Sequence, residues 1–295
     1  MRVLIVGGGI GGLTAAIALR QQGIEAVVIE QAAQMSEIGA GIQIASNAVI
    51  VLRQLGLEEK IASVAVKPQT YDYRDLRTGR RVFQAVLGDT AAGHYGAPMY
   101  NIHRADLINI LFDAVPRECI RLGASCIGVS QTAEGASVQL KSGETLTGDV
   151  VVGCDGIHSV VRRHLRGDED KHDARILMWR SLIPAHDLEG LELGENGNYW
   201  FGPGRTLITY WVRPKKLYSI LASVPASEVH RESWSDNGDI DEMLRSFADA
   251  EPRARAMLEK TKTAFITGMY YRDPIDNWTS GRITLLGDAA HPMVP

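Results

Sequence analysis

Three glycines near the N-terminus, Gly7, Gly9 and Gly12, follow the spacing GxGxxG. The first permits a tight turn, the second lets a pyrophosphate approach the backbone, and the third lets a helix pack closely on a strand. A phosphate at this turn would meet free backbone N–H groups at a helix N-terminus. Glu30 follows Gly12 by 18 residues, where a carboxylate can bind the hydroxyls of an adenosine ribose. The alternative is a structural glycine turn with an unrelated surface glutamate.

The residues around this motif predict one strand–helix–strand unit. Residues 3–6 are a short apolar run typical of a buried parallel strand, and residues 12–22 carry apolar side chains at helical spacing until Gly23. Residues 26–29 form a second apolar strand that ends on Glu30. Because a carboxylate there repels a 2′-phosphate, the unit favours NAD or FAD over NADP as the tightly held dinucleotide. It leaves the choice between NAD and FAD open.

Composition narrows the class of protein. The 295 residues are 45% hydrophobic and 22% charged, which allows one large or two modest domains. The net charge is −4 and no basic run is interleaved with aromatic residues, so no nucleic-acid partner is expected. Three cysteines without a CxxC pair favour a reducing cytoplasm, and the eight histidines lack metal-ligand spacing. Glycines interrupt the apolar N-terminus, so we expect neither a targeting nor a membrane segment.

The rest of the chain predicts a dinucleotide-binding domain interrupted by a sheet domain. Asn47 is placed to cap a helix that Gly56 ends, and another helix is expected over residues 104–115. Further predicted elements are apolar strands at 149–153 and 283–287, antiparallel strands at 176–183, 206–213 and 217–224, and one helix at 239–261. We therefore expect an α/β fold, with a Rossmann-like domain of residues 1–70, 98–173 and 272–295 and an antiparallel sheet domain of residues 71–97 and 174–271.

Two further strand ends combine aspartate with glycine. Residues 149–162, DVVVGCDGIHSVVR, predict a strand that ends at Asp155-Gly156 before a helix. Residues 281–292, GRITLLGDAAHP, predict another strand that ends at Gly287-Asp288. With these three motifs in this order, the chain resembles the single-component flavoprotein aromatic hydroxylases, which include salicylate hydroxylase, hydroxybenzoate hydroxylases and hydroxynicotinate monooxygenases. The similarity extends over essentially all of the sequence.

The resemblance implies a GR2-type FAD-binding domain with an inserted substrate domain. It implies FAD as the bound cofactor and NAD(P)H as a transient co-substrate, which agrees with the single GxGxxG of the chain. Reduced flavin would take up O2 as a C4a-hydroperoxide and hydroxylate a hydroxybenzoate-like or hydroxypyridine-like ring. The protein would orient these partners and exclude water.

The resemblance also assigns contacts with the adenosine half of FAD. Glu30 would hold the ribose, the backbone at Cys126 would pass the adenine, and Asp155 and Gly156 would serve both FAD and NAD(P)H. Asp155 has an alternative role as the N-cap of the following helix. Cys154 replaces the small residue common at that place, and we interpret it as a buried thiol without redox chemistry.

Other residues match the contacts with the flavin half. Residues 41–43, which include Gln43, correspond to the loop near the isoalloxazine, and Arg104 matches an arginine that reaches the flavin cofactor. Asp288 would bind the ribityl chain, and Pro292 would line the reactive face. Arg104 has an alternative role as a surface residue at a helix start, and Asp288 as an N-cap that also binds the ligand.

A base or hydrogen-bond acceptor beside the substrate hydroxyl would favour attack on the ring. Tyr210 and His291 are our catalytic candidates. Their alternatives are an ordinary sheet tyrosine and a residue that holds backbone at a helix end. Aromatic residues of the insert could wall a planar substrate or pack a core: Trp179, Tyr199, Trp200, Phe201, Tyr210 and Trp211.

The sequence ends seven residues after Asp288. Family members continue with a helix that faces the flavin and with further helices, so we expect a fragment of a longer protein that lacks this helical part. Two alternatives to aromatic hydroxylation stay open: a flavoprotein of the same fold with other chemistry, such as halogenation or alkene reduction, and a non-catalytic FAD-binding remnant. The expected partners are a small aromatic substrate, O2 and NAD(P)H, and a homodimer stays open.

Overall fold

The computed structural model describes residues 1–35, 40–191, 193–227 and 236–294. The strands are β1 Arg2–Val6, β2 Glu25–Ile29, β3 Gly41–Ile44, β4 Thr70–Asp75, β5 Arg81–Val86, β6 Tyr100–His103, β7 Ile120–Arg121, β8 Cys126–Gln131, β9 Ala136–Leu140, β10 Thr145–Gly148, β11 Val150–Gly153, β12 His172–Pro184, β13 Gly197–Gly202, β14 Arg205–Arg213, β15 Leu217–Pro225, β16 Phe265–Tyr271, β17 Thr279–Ser280 and β18 Ile283–Leu285. The α-helices are α1 Ile10–Gln21, α2 Ser46–Gln54, α3 Glu58–Val64, α4 Gly88–Tyr95, α5 Arg104–Asp113, α6 Val160–Arg166, α7 Ile240–Ser246 and α8 Pro252–Glu259.

The chain divides into two compact units. Unit 1 comprises residues 1–36, 108–174 and 270–295, and unit 2 comprises residues 37–107 and 175–269. Residues 37–70 and 98–107, which the sequence placed with the dinucleotide domain, cluster here with the sheet unit. The reason is that β3 and β6 pair with each other and contact β14.

Unit 1 is built on a mostly parallel sheet with the strand order β17-β18-β11-β1-β2-β7. Strand β1 is central and pairs in parallel with both β2 and β11. Its residues Leu4 and Ile5 are fully buried, as expected for a parallel strand covered on both faces. The predicted strand–helix–strand unit is therefore confirmed, although α1 begins at Ile10 because Gly9 is its N-cap. Strands β8, β9 and β10 add a separate antiparallel sheet.

Unit 2 is built on a sheet with the strand order β16-β12-β15-β14-β13-β4-β5. One face packs against α7 and α8 through a core that includes Trp179, Trp200 and Phe247. The other face carries a smaller cluster around Tyr71 and Tyr210, and β3 and β6 form a two-stranded ribbon in the same unit. Four tyrosines, Tyr71, Tyr73, Tyr199 and Tyr210, belong to the cluster on this second face.

The structure corrects several predicted elements of unit 2. Strand β4 pairs with β13 in parallel, although the segment was expected to be antiparallel throughout. Residues 88–95 form α4, which the sequence did not predict because they lack an apolar stripe. The helix expected at 239–261 is two helices, because Glu251 caps a new helix and Pro252 occupies its first turn. Asn47 lies inside α2, whose N-cap is Ala45.

No helix in the described ranges is both long enough and apolar enough to cross a membrane.

Candidate functional site

The glycine motif forms a turn in which two glycines are required by close backbone contacts. Gly7 has φ +107°, and a Cβ there would lie 2.3 Å from the carbonyl oxygen of Cys154. A Cβ on Gly12 would lie 1.9 Å from the carbonyl oxygen of Gly7. Nothing lies within 4 Å of the corresponding position on Gly9, so the backbone is open to a ligand there. The tight turn at Gly7 and the close packing at Gly12 agree with the geometry that the spacing predicted, and the pyrophosphate contact at Gly9 stays a prediction.

A cavity of about 200 Å³ opens beside this turn in unit 1. It is lined by Val6, Gly7, Gly9, Ile29, Glu30, Gln31, Ala124, Cys126, Cys154, Asp155, His158 and Val160. The carboxylate of Glu30 is held in place by backbone amides, since Oε2 accepts from the N–H of Gly8 at 2.7 Å and Oε1 from that of Ala32 at 2.8 Å. Each oxygen keeps further lone-pair capacity for a ribose hydroxyl.

Both thiols that line this cavity stay protonated at neutral pH. Burial raises the pKa of Cys126 to about 11, and its Sγ–H donates to the carbonyl of Gly128 at 3.5 Å. Burial and the charge of Asp155 raise the pKa of Cys154 to about 12. A thiol in this state is a poor nucleophile, which agrees with the interpretation of Cys154 as a non-reactive residue.

Asp155 accepts hydrogen bonds from the first turn of α6, but the N-cap of that helix is Ser159, so the alternative role of Asp155 as the N-cap is wrong. Its Oδ2 accepts from the backbone N–H of Val160 at 2.8 Å and of Val161 at 3.3 Å, and the hydroxyl of Ser159 donates to Oδ1. Burial raises the pKa of this carboxyl, and the hydrogen bonds oppose that effect. Asp155 therefore fixes the start of α6 while it also lines the cavity. Gly156 follows it with φ +75°.

Asp288 does not cap a helix. It lies in a short 3-10 turn, Gly287–Ala289, whose preceding residue is Leu286 and which has no side-chain cap. The expectation that Asp288 caps a helix is therefore wrong, and the expectation that it binds the ligand stays a prediction. Its side chain is exposed and Pro292 is buried. His291 is exposed and stacks on Trp278, with ring centroids 5.0 Å apart, and its backbone N–H donates to the carbonyl of Gly287.

In unit 2, Arg104 is the first residue of α5 and is partly buried. Its backbone N–H donates to the carbonyl of Ala40 at 2.9 Å. Burial, followed by the positive charge of Arg104, lowers the pKa of the guanidinium of Arg180 to about 10. Arg104 is therefore a partly buried residue at a helix start, and its contact with the flavin cofactor stays a prediction.

Tyr210 lies in the interior of unit 2 with 3% of its surface exposed. A Cβ on Gly41 would lie 2.8 Å from its ring, so β3 can approach the sheet only with glycine at that position. Burial raises the pKa of Tyr210 well above its usual value, and its hydroxyl is hydrogen-bonded to Ser219. A phenol in this state cannot accept a proton as a phenolate base at neutral pH.

A chain of polar side chains that the sequence did not bring together links β3, β4, β6 and β13. The hydroxyl of Tyr199 donates to Oε1 of Gln43 at 2.8 Å, and Nε2 of Gln43 donates to the hydroxyl of Tyr71 at 2.7 Å. The hydroxyl of Tyr71 in turn donates to Oδ1 of Asn101. The pairing of Gln43 with Asn101 across the ribbon sets this geometry. We name these four residues the tyrosine–amide chain.

His103 should make stability depend on pH. The side chain is 8% exposed, and burial and the charge of Arg213 lower its pKa, while Asp106 opposes them. The folded state therefore binds fewer protons than the unfolded state, and we expect the free energy of unfolding to fall as pH drops from about 7.5 to 5.5. Denaturant unfolding of His103→Gln should show a smaller fall in the free energy of unfolding over this pH range. The exposed His94→Gln is the control, and an equal effect of both variants would contradict this assignment.

Comparison with known proteins places the chain in a family. Residues 1–295 match the family described as FAD binding domain. The chain is 34% identical to 3-amino-4-hydroxybenzoate 2-monooxygenase of Streptomyces platensis, with 100% of this chain and 74% of that protein covered. It is also 34% identical to 3-hydroxybenzoate 6-hydroxylase of Klebsiella oxytoca, with 99% and 74% covered. Among solved structures, HpxO of Klebsiella pneumoniae complexed with FAD and uric acid has a TM-score of 0.88 at 25% identity, with 100% and 74% covered.

The fold and the matches define a flavin-dependent monooxygenase. The chain belongs to the FAD-binding family of aromatic monooxygenases, and FAD is its cofactor. The residues present fit that cofactor, because the open backbone at Gly9 and the amide-held carboxylate of Glu30 face one cavity.

Proposed function

We propose that the protein hydroxylates a small aromatic ring that carries a hydroxyl group, with NAD(P)H as reductant and O2 as oxidant. The observation that carries this proposal is the tyrosine–amide chain, which holds two tyrosine hydroxyls in fixed positions on the sheet of unit 2. Relatives named for hydroxybenzoate and hydroxynicotinate chemistry support the same substrate class.

Tyr199 is the member of this chain best suited to meet a substrate. Tyr71 and Asn101 are buried, whereas Tyr199 is partly exposed. Because its hydroxyl donates to Gln43, the oxygen lone pairs can accept a hydrogen bond from a substrate hydroxyl. Burial raises the pKa of Tyr199, so the residue stays a neutral phenol at neutral pH. Such an acceptor draws the proton away from the oxygen of the substrate's hydroxyl group. The aromatic ring that carries this group then becomes more nucleophilic.

The rings around Tyr199 are suited to a planar ligand. Tyr73 stacks on Tyr199 with centroids 5.1 Å apart and an interplanar angle of 9°, and Phe201 is nearly parallel to both. Aromatic side chains contribute apolar area and preferred ring geometries that favour other aromatic rings. The same packing also stabilises the sheet, so it supports the proposal without carrying it.

The cofactor part of the proposal uses the residues that the family resemblance assigned to FAD. The glycine turn would hold the pyrophosphate, Glu30 the ribose, and the exposed carboxylate of Asp288 the ribityl chain, while Gln43, Arg104 and Pro292 would serve the flavin. When bound, FAD supplies electron transfer from NAD(P)H and the activation of O2. The side chains position the partners and exclude water.

The test is turnover by the protein reconstituted with FAD. NADH and NADPH oxidation would be measured with benzoate, hydroxybenzoates, aminohydroxybenzoates and hydroxynicotinates, and the aromatic products identified by mass spectrometry. We expect hydroxyl-bearing acids to stimulate oxidation and to gain one oxygen atom, and benzoate to do neither. Stimulated oxidation without an oxygenated product from any acid would contradict the proposal and favour another flavin chemistry. FAD binding without stimulation would favour a non-catalytic remnant.

A further inference from the structure

We propose that Arg162 is a positioning residue that joins the two halves of the cofactor site, in an inference that rests on the cofactor contacts proposed above. A continuous series of hydrogen bonds runs from Asp155, through Ser159 and Arg162, to the turn that carries Asp288. We name this series the Arg162 bracket. Through it, the flavin half of the site depends on a side chain that touches neither the cavity nor Asp288 itself.

The first part of the bracket uses only the backbone of Arg162. The hydroxyl of Ser159 donates to Asp155, and its oxygen accepts from the backbone N–H of Arg162 at 2.8 Å. Ser159 is 5% exposed, so this contact is shielded from water. Any residue other than proline at position 162 can keep it, because no side-chain atom of Arg162 is involved.

The second part uses the guanidinium, which reaches the turn after β18. Nη1 donates to the carbonyl of Ala290 at 2.7 Å and to that of Ala289 at 3.3 Å, and Nη2 donates to the carbonyl of Asp273 at 3.3 Å. Glu169 neutralises the charge, with its carboxylate 2.7 Å from Nε. Arg162 is 3% exposed, and its contacts with the carbonyls of Ala289 and Ala290 are buried.

The side chain of Asp288 does not stabilise its own turn, so the contacts with Arg162 are needed to hold the turn in place. No side chain caps the turn Gly287–Ala289, and the backbone N–H of Ala290 donates to Gly287 within the same turn. The carbonyls of Ala289 and Ala290 instead accept hydrogen bonds from Arg162, which lies in α6. A planar guanidinium can bind several carbonyls and a carboxylate at once, whereas a lysine ammonium cannot reproduce that fork. Loss of the guanidinium should therefore displace Asp288 and leave the glycine turn and Glu30 in place.

Two ligands, ADP and FAD, report separately on the two halves of the cofactor site. ADP reports on the glycine turn and Glu30, and FAD reports on both halves. For Arg162→Met and Arg162→Lys we expect ADP affinity to stay within about twofold of the parent and FAD affinity to fall about tenfold or more, since loss of one hydrogen bond to a charged group such as Asp288 corresponds to about tenfold or more in affinity. Isothermal titration calorimetry on the folded protein measures both. The control is Arg163→Met, whose exposed side chain pairs with Asp168, and it should change neither affinity.

A double-mutant cycle with Asp288→Asn completes the test. If Arg162 acts through Asp288, the two losses of FAD affinity should not add. Equal losses for ADP and FAD, additive losses in the cycle, or unchanged FAD affinity would each overturn the proposal. If Arg162→Met does not fold, Arg162→Lys carries the same comparison, because it keeps a positive charge beside Glu169. If the protein does not hydroxylate any substrate, the proposed function is contradicted, but the binding results still test the role of Arg162 independently.

Discussion

Replacement of Gly12 by alanine is expected to weaken FAD binding severely. The added methyl group would lie 1.9 Å from the carbonyl oxygen of Gly7, which is backbone and cannot rotate away. Either α1 moves off β1 or the turn opens, and both changes displace the N–H groups that would meet the pyrophosphate. We expect FAD affinity to fall about 100-fold or more, the scale of losing two hydrogen bonds to a charged group. Overpacking should also cost roughly 1–3 kcal/mol of unfolding free energy.

Gly11→Ala is the matched control for this variant. It adds the same methyl group one residue earlier in α1, where the nearest atoms belong to Leu286 at 3.8 Å. We expect it to bind FAD like the parent and to be stabilised by up to about 1 kcal/mol, because alanine is the better helix former. Fluorescence titration of FAD and denaturant unfolding measure both properties. Normal FAD affinity in Gly12→Ala would show that the turn is not the pyrophosphate site.

Tyr199→Phe is expected to reduce product formation about 100-fold, the usual scale for loss of a group that assists proton movement. The variant keeps the ring that stacks on Tyr73 and removes the hydroxyl that donates to Gln43. FAD affinity should change little, since Gln43, which would serve the flavin, keeps its hydrogen bond to Tyr71, and the proposed pyrophosphate and ribose contacts lie in unit 1. NAD(P)H oxidation should continue in part, so the ratio of product to NAD(P)H consumed should fall.

Two further variants identify which hydroxyl matters. Tyr73→Phe removes a neighbouring hydroxyl from the same aromatic cluster and should leave product formation unchanged. Tyr210→Phe removes the buried hydroxyl bonded to Ser219 and should mainly lower stability. If Tyr210→Phe lost product formation and Tyr199→Phe did not, our assignment would be refuted and the catalytic prediction for Tyr210 from the sequence would stand.

The sequence predicted those features that depend on short-range pattern. The strand–helix–strand unit around Gly7, Gly9 and Gly12 was predictable because helix and strand periodicities differ and glycines mark the turn. The family and its cofactor followed from the order of three local motifs. Cys126 lines the expected cavity together with Glu30, although the two residues lie far apart in the chain.

The tyrosine–amide chain could not be predicted in this way. Gln43 is separated from Tyr71 by 28 residues and from Tyr199 by 156, and their contact depends on the register of separate strand pairs. Because these paired strands are not joined by a short turn, no turn geometry in the sequence fixes which of their residues lie opposite one another. The same reason explains why Tyr210, which follows the alternation of a strand, was a catalytic candidate although its hydroxyl is buried.

Errors at element ends had local causes. The break at Glu251-Pro252 was missed because apolar spacing continues across it, although proline marks the first turn of a new helix. Asp288 was expected at a helix start because aspartate is common there, but the segment forms a 3-10 turn. In this turn the supporting contacts come from Arg162, which lies more than 120 residues earlier in the sequence.

The central claim is that the protein inserts an oxygen atom from O2 into a hydroxylated aromatic ring. The most direct test is turnover of the FAD-reconstituted protein under isotopically heavy O2 in ordinary water, with the best substrate from the acid panel. The account predicts a ring product that carries one heavy oxygen atom, formed only when NADH or NADPH is present. A product whose new oxygen comes from water, or NAD(P)H oxidation that yields only hydrogen peroxide, would contradict it.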